Sequence, residues 1–591
     1  MEMKETIQRY FASDRRKKIL YLFQAIVGTV SINMVLDYLV ISIYSILFMI
    51  SFYYVFTYID NHCKKDKYIR ICAIIFSVFT LMGKVDYWII ADVSRWQKIL
   101  RILFITLGSY CILSYLIVFL FSKYDRFIEK KKEIKCNLSE NTIFVLSFVI
   151  IALVWGVIWM AEYPAVIVPD TIAQIRQIMG DVPLDNFNPL ANTLWLKMQY
   201  MILKSCGVAD INQALGIMSL LQLVIMDAIV SLQIRFLYKK TRNIFLVSVS
   251  VAFYVIILYH ASFSVNIIKD TVFSNIVLAF MLVILGYFEG HKEKKRKIVY
   301  TVGLFLLGIM VNLFRGNGYY AFAFFLLFVI VYGIKTREKK FTLTMILVFF
   351  VSSLFLGVVF KSFGVVERPY AEGLSIPIQQ IAYVAASGVE IPKEEYELLS
   401  QVVNVEEMAA AYSDWISDPV KRMFTNKSYF MGHKSEYIKL WLKLGIRYPG
   451  LYVVAYVKQT YGYWYPAVTT WPYLWQVYEN PYGIKHQPLF SKKLVDRIEE
   501  LANLYKTSPL YGSFFSIATY TWGTICMFFY ALRRKNKIII LNYSLLLGIW
   551  IGLLIGTPVF AEFRYIYPLV IAFPLIVFMP YAEHESNLTD N

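Results

Sequence analysis

Asp170 in "PDTIAQ", Lys269 and Asp270 in "IKDTVFS", Arg315 and Asn317 in "RGNG", and Glu562 and Arg564 in "EFRYIYP" stand at the edges of long apolar runs. A carboxylate can accept a proton from a hydroxyl, and a group of cations can hold a departing phosphate. Arg adds the ability to grip a phosphate through two parallel hydrogen bonds. Each residue also has a plainer use. Asp170 follows Pro169 and opens a helical pattern, so it suits an N-cap. Lys269 beside Asp270 suits a local ion pair, Arg315 beside Gly316 and Gly318 suits a snorkelling cation at a helical hairpin, and Glu562 can pair with Arg564.

The elements that must position these residues follow from composition. The chain has 591 residues, 58% of them hydrophobic and only 17% charged. Its mean hydropathy is +0.54. That is more apolar surface than a water-soluble core of this size buries, so the chain reads as a membrane protein. Apolar runs recur near 19–36, 41–60, 70–90, 100–121, 142–160, 212–232, 243–260, 272–288, 298–313, 317–333, 341–361, 511–531, 538–556 and 564–580. Each approaches the ~20 residues that a helix needs to cross a bilayer. The expected fold is an all-α polytopic membrane protein of about fourteen transmembrane helices.

Every second loop is basic: 15–18, 64–70, 123–135, 239–242, 291–297, 335–340 and 533–537. By the positive-inside rule these loops, and both termini, are expected in the cytoplasm of a multi-pass cell-membrane protein. The net charge of +18 then reflects topology and attraction to the lipid bilayer, with no nucleic acid required. The basic start followed by an apolar run is like a signal peptide, but the run has no small-residue cleavage site and is expected to be retained. Four parts are expected: a four-span region 1–138, a seven-span module 139–362 with a long first outside loop 161–211, an extracytoplasmic and mainly helical domain 363–510, and three closing spans in 511–591. Cysteines stand at 63, 72, 111, 136, 206 and 526, so the 363–510 segment has none to staple it. Its aromatic stretch "YGYWYPAVTTWPYLWQVYENPYG" suits the bilayer interface, or the stacking of sugar rings and isoprenoid chains.

Sorted by this alternation, the seven residues of the opening paragraph fall on the extracytoplasmic side, where Lys and Arg are scarce. Three separated cations at one depth, Lys269, Arg315 and Arg564, suggest an anionic ligand. If 170–180 is helical, Asp170, Gln174, Gln177 and Asp181 form a polar stripe opposite Ile172, Ile175 and Met179. A second amphipathic run, 188–205, follows, and the loop is expected to be two interfacial helices presenting polar faces to the ligand.

This arrangement resembles the GT-C glycosyltransferases, in particular the protein O-mannosyltransferase and aminoarabinose transferase layout. The resemblance rests on seven spans from 142 to 361, an acidic residue after the first of them, and "NFNPLANTL" at the turn before the second interfacial helix. "PDTIAQ", "IKDTVFS", "RGNG" and "EFRYIYP" look closer still to an uncharacterised group of bacterial multi-spanning proteins placed beside those transferases. The chain departs from the better-known branch in having Thr171 after Asp170, with no Asp-Glu pair, and in having Asn186 and Asn188 where His is common. The resemblance implies an inverting glycosyltransferase that moves a sugar from a polyprenyl-phosphate donor to an extracytoplasmic acceptor: a cell-wall polymer, glycolipid or protein. Asp170 would be the general base or a ligand for a divalent cation (Mg or Mn), the one cofactor the resemblance raises. Lys269, Asp270, Arg315, Asn317, Glu562, Arg564, Gln174 and Asn188 would bind substrate. The alternative is a transporter or flippase of a lipid-linked saccharide, which should carry charges at mid-membrane or broken helices in paired halves.

Overall fold

Within lipid a backbone must satisfy its own hydrogen bonds, and apolar runs of this length do so as helices. The computed structural model describes residues 15–37, 42–129, 138–289, 294–366, 369–470 and 477–589. Parts of two basic loops, 130–137 and 290–293, and residues 471–476 of the aromatic stretch lie outside these described residues. Among the described residues the elements are helices, with only isolated β-bridges between loops. The chain is an all-α, multi-pass membrane protein.

The first four helices are α1 (Arg15–Leu36), α2 (Ile43–His62), α3 (Lys67–Met82) and α4 (Arg95–Glu129). Next come α5 (Glu140–Ala161), α6 (Pro169–Met179), α7 (Leu190–Ser205) and α8 (Ile211–Thr241). Then follow α9 (Ile244–Ile256), α10 (Tyr259–Val265), α11 (Lys269–Glu289), α12 (Lys294–Leu313), α13 (Gly316–Thr336) and α14 (Lys339–Leu354). Eleven helices among the described residues are long and apolar enough to cross a membrane, or thirteen if each of two bent pairs is one crossing. One bent pair is α9 with α10, at 66°, and the other is Pro509–Phe515 with Ile517–Arg534, at 75°. The run expected at 70–90 forms the 16-residue α3, short of that length, followed by a π turn at Asp86–Ile90.

Residues 371–452 build a separate apolar core around Ile378, Leu399, Met408, Val420, Leu440 and Leu444. Its helices include α15 (Ser375–Ala386), α16 (Lys434–Arg447) and α17 (Pro449–Thr460). The chain closes with α18 (Ile517–Arg534), α19 (Lys537–Gly556), α20 (Phe563–Ile571) and α21 (Phe573–Thr589). A single large core runs from Phe56 to Ala582, so α2, α3 and α4 share a core with the rest of the bundle, and α1 packs on α2 and α4. Phe76 of α3 stacks on Trp522 of α18 at 4.0 Å. At the other end of α18, Arg533 pairs with Asp66 and Asp125 at 2.8 Å each.

Lipid-facing and interior helices separate clearly. Only 28% of the apolar stretch of α5 is buried, whereas 78% is buried in α11 and in the stretch Phe563–Ala582. The helices that carry Lys269 and Arg564 are therefore central, and ionisable groups at their ends must find partners inside the protein.

Candidate functional site

The loop from Pro164 to Asp170 is lashed to the start of α11. The Val166 N–H donates to the Val265 carbonyl at 3.2 Å, the Ile267 N–H returns to the Val166 carbonyl at 3.3 Å, and Thr171 Oγ1 donates to the Ile267 carbonyl at 2.6 Å. On the other side the Tyr478 N–H reaches the Ile167 carbonyl at 2.9 Å. Pro169 then starts α6 at its first position, where a preset φ and a missing N–H cost nothing. Gly180, with φ +87°, ends the helix in the left-handed conformation that glycine adopts most easily. Ile172 and Ile175 anchor α6 against Ile167, Leu196 and Ile267. Burying each contributes about 2 kcal/mol.

This lashing fixes Asp170 beside Lys269. Lys269 Nζ lies 3.0 Å from Asp170 Oδ2, and Arg564 Nη1 lies 3.0 Å from the same oxygen. Among the described residues Oδ1 accepts no hydrogen bond, and the Asp170 side chain is 23% exposed. The N-cap of α6 is Val168, and Asp170 caps no backbone donor. Burial would raise the Asp170 carboxyl, but the charges of Lys269 and Arg564, with their hydrogen bonds, overcome it and hold the group at about 2. Lys269 is the first residue of α11, where a cation opposes the helix dipole; its pairing with Asp170 and the Asn188 Oδ1 it reaches at 2.6 Å compensate.

A second ion pair sits behind the first. Arg315 Nη2 lies 2.9 Å from Asp270 Oδ1, and both side chains are almost fully buried. Arg315 also donates to the Tyr565 carbonyl at 3.2 Å. The Tyr565 ring lies under both guanidinium groups, 4.8 Å from that of Arg315 and 5.2 Å from that of Arg564. Arg564 links the two pairs, with Asp270 Oδ2 at 4.0 Å and Glu562 Oε1 at 3.5 Å. Gly318 allows this hairpin to close, because a Cβ there would lie 2.0 Å from the Val311 carbonyl oxygen.

The structure thus joins Asp170, Asn188, Lys269, Asp270, Arg315, Glu562 and Arg564 in one cluster at one end of the helix bundle. Lys269 and Asp270 pair with different partners and not with each other. Asn317 stands half-buried in the first turn of α13 and, among the described residues, makes no hydrogen bond to the cluster. Gln174 lies one turn along α6 but turns inward. Its amide donates to Thr193 Oγ1 at 2.9 Å and its carbonyl accepts from Asn192 at 3.1 Å. Gln177 is buried too and accepts the Asp185 N–H at 3.3 Å. Of the polar stripe of α6, Gln174 joins α6 to α7, Gln177 holds the loop between them, Asp181 accepts from the Tyr482 hydroxyl, and only Asp170 reaches the cations. Pairing within a buried interface costs less than leaving those amides without partners, which is why Gln174 and Gln177 are internal.

Two tyrosines that the sequence pattern does not mark hold the cluster. Tyr565 lies within the quoted "EFRYIYP" but looks like any interfacial aromatic. Tyr463, from the aromatic stretch, takes the Glu562 N–H on its hydroxyl at 3.1 Å and donates to the Val559 carbonyl at 2.9 Å. Its only sequence signal is the density of aromatics around it.

Each carboxylate already faces Lys or Arg, and among the described residues no group of three His, Cys, Asp or Glu side chains gathers closely enough to hold an ion. Asp170 has cations, not a second carboxylate, as its neighbours. Just below the cluster, an apolar cavity of about 250 Å³ opens between α7, α8, α11 and α12, lined by Trp195, Met218, Ile229, Ile276, Met310 and Phe314. Ile267 and Phe314, two and one residues before Lys269 and Arg315, border both cavity and cluster.

Fold and site together define a polytopic helical membrane protein with a charge-balanced cluster at one end of its bundle, above an apolar cavity. The chain belongs to a family of unknown function (DUF6020), whose model matches residues 20–591. No curated protein and no solved structure matches the chain.

Proposed function

We propose that the chain is a membrane glycosyltransferase that moves a sugar from a polyprenyl-phosphate donor to an acceptor at the extracytoplasmic face. The observation that carries this reading is Asp170: one carboxylate oxygen takes two cations at 3.0 Å, and among the described residues the other accepts no hydrogen bond. The cavity between α7, α8, α11 and α12 supports it, because an isoprenoid chain needs an apolar bed next to the charges that hold its phosphate.

In this mechanism Lys269 and Arg564 bind the donor phosphate. The acceptor hydroxyl oxygen forms a bond to the sugar's anomeric carbon as the bond from that carbon to the phosphate oxygen breaks. The hydroxyl proton passes to Asp170 Oδ1, and the polyprenyl phosphate leaves with the electron pair of the broken bond. A carboxylate held at about 2 is a weak base. The cations that hold it down are the same ones the phosphate needs, so donor binding shares them and returns basicity to Asp170 when the acceptor is to be activated. Arg315 and Asp270, buried behind Arg564, keep its guanidinium aimed, with Tyr565 as their common floor. No step requires a metal ion.

A flippase or exporter of a lipid-linked saccharide is the second reading. Two bent helix pairs meet through the Tyr259 and Tyr520 hydroxyls, and Asp227 is buried in the middle of α8 with, among the described residues, only Ser231 bonded to it, at 3.1 Å. Purified protein reconstituted with polyprenyl phosphate separates the two. A transferase releases free polyprenyl phosphate from its glycosylated form when acceptor-bearing membranes are added, and Asp170→Asn abolishes this. A flippase moves the intact glycolipid between leaflets, and Asp227→Asn, not Asp170→Asn, stops it.

A further inference from the structure

Helix α16 has three faces. Tyr437, Leu440 and Leu444 are buried in the core of the 371–452 domain. Ile438, Leu442 and Ile446, spaced by four residues, are 58%, 50% and 82% exposed. Lys439, Lys443 and Arg447, each one residue further along, form an exposed basic stripe beside the apolar one. At 100° per residue the apolar stripe spans about 80° and the basic stripe the next ~80°. A face of this kind in water would leave three large aliphatic side chains without cover.

The neighbouring helix shows where this face lies. Helix α17 begins next to the turn after α3, since a Cβ at Gly450 would lie 3.6 Å from the Ile89 side chain. Near its end, Gln459 Nε2 donates to the Thr557 carbonyl at 2.8 Å, at the close of α19. The two contacts are nine residues, about 14 Å, apart along the helix. Helix α17 therefore lies flat across the ends of the membrane helices. Ile446 stands four residues before Gly450, and a Cβ at Gly445 beside it would lie 3.0 Å from the Tyr452 ring of α17, so the end of α16 packs on the start of α17. Trp96, 76% exposed at the start of α4, lies at the same end of the bundle, as an aromatic residue at a membrane boundary would.

From this placement we propose that α16 is an interfacial helix: Ile438, Leu442 and Ile446 sink into the acyl boundary of the membrane around the bundle, and Lys439, Lys443 and Arg447 meet anionic phospholipid headgroups. The paired stripes match the two components of such a surface, apolar chains below and negative charge above. Lys443 also bonds Glu395 at 2.9 Å, which ties the basic stripe to the domain it holds down. The contact fixes the 371–452 domain against the membrane independently of any catalytic reading of the cluster.

The test uses the full chain with its cysteines replaced by serine, reconstituted into vesicles of phosphatidylglycerol and phosphatidylethanolamine. Spin labels are placed by Leu442→Cys, Ile446→Cys and, as a water-exposed reference in the same domain, Lys393→Cys, whose native side chain is 89% exposed. All three positions are exposed, so the domain core is not disturbed. Labels at 442 and 446 should collide several-fold less with a water-soluble nickel chelate, and more with oxygen, than the label at 393. Protection at 446 should fall in phosphatidylcholine vesicles and when Lys439, Lys443 and Arg447 are all replaced by Gln. Chelate collisions equal to those at 393 would overturn the proposal. Shielding from chelate and oxygen alike would overturn it in favour of a protein cover, and equal protection in phosphatidylcholine would overturn the role of anionic headgroups.

Discussion

Asp170 and Lys269, 99 residues apart in the chain, meet at 3.0 Å because a pair of backbone hydrogen bonds between Val166 and the 265–267 segment brings their loops together. The pair, with Arg564, sets a pH dependence. The folded Asp170 carboxyl sits at about 2, below its ordinary value of 3.8, so its contribution to stability is present above about pH 4 and is lost as pH falls through 2. The difference is worth on the order of 2 kcal/mol. Thermal unfolding in detergent from pH 7 to pH 2 should show wild type losing this increment between pH 4 and 2 and Asp170→Asn lacking it. Equal acid sensitivity of the two proteins would mean that the carboxylate is not held by these cations.

The Arg315–Asp270 pair is buried on both sides, so removing one partner strands a charge. Arg315→Ala should cost about 3–5 kcal/mol. Replacing both, as Asp270→Leu with Arg315→Met, should recover most of that stability, because buried ion pairs are often matched by apolar pairs of similar volume. Activity should not return, since Arg564 loses the neighbour that aims it. Denaturation midpoints and transfer rates on the two variants check this; recovery of full activity in the double variant would assign the pair a purely structural role.

The packing of the first four helices has a direct probe. Cys72 of α3 and Cys526 of α18 have their sulfurs 4.0 Å apart. In a chain whose other cysteines are serine, with a protease site engineered into the 130–137 loop, mild oxidation should join the two fragments in a non-reducing gel. Fragments that separate after oxidation would show that α3 does not lie on α18.

Much of the architecture was legible from charge and hydropathy. The expected apolar runs fall largely on helix, broken at Gly83–Lys84, after Ile256 and at Ser516, because the ~20-residue run length and the requirement to satisfy backbone within lipid leave little choice. The members of the cluster were legible as ionisable residues at the ends of apolar runs, but their pairing was not. Asp170 and Arg564 are 394 residues apart, and no periodicity marks the isolated bridge between Val166 and Asn266. The inward turn of Gln174 was hidden for a similar reason: an amphipathic stripe says which residues share a face, but not whether water or a second helix covers it. The breaks after Ile256 and at Ser516 carry neither Gly nor Pro, the usual signals, so both segments read as continuous runs.

The basic loops predict that the cluster works at the extracytoplasmic face, and this is open to measurement. Reporter fusions at Lys131, Lys294 and Lys339 should read cytoplasmic and one at Glu406 extracytoplasmic. A cytoplasmic signal at Glu406 would move the cluster to the wrong side for a polyprenyl-linked donor presented outside.

The most direct measurement compares wild type with Asp170→Asn. Asn keeps the shape of the side chain and removes the charge and the proton acceptor. Membranes from a strain lacking the chain, complemented with either protein at limiting expression, are assayed for transfer of labelled sugar to envelope acceptors, and each purified protein is assayed for retained polyprenyl phosphate. The account predicts that Asp170→Asn expresses normally and still binds polyprenyl phosphate through Lys269 and Arg564, while transfer falls by about 10² to 10⁴, the usual cost of a positioned base. Transfer by wild type should be unchanged by a chelator. Transfer by Asp170→Asn at the wild-type rate would contradict the account, leaving Asp170 as one partner in a structural ion cluster.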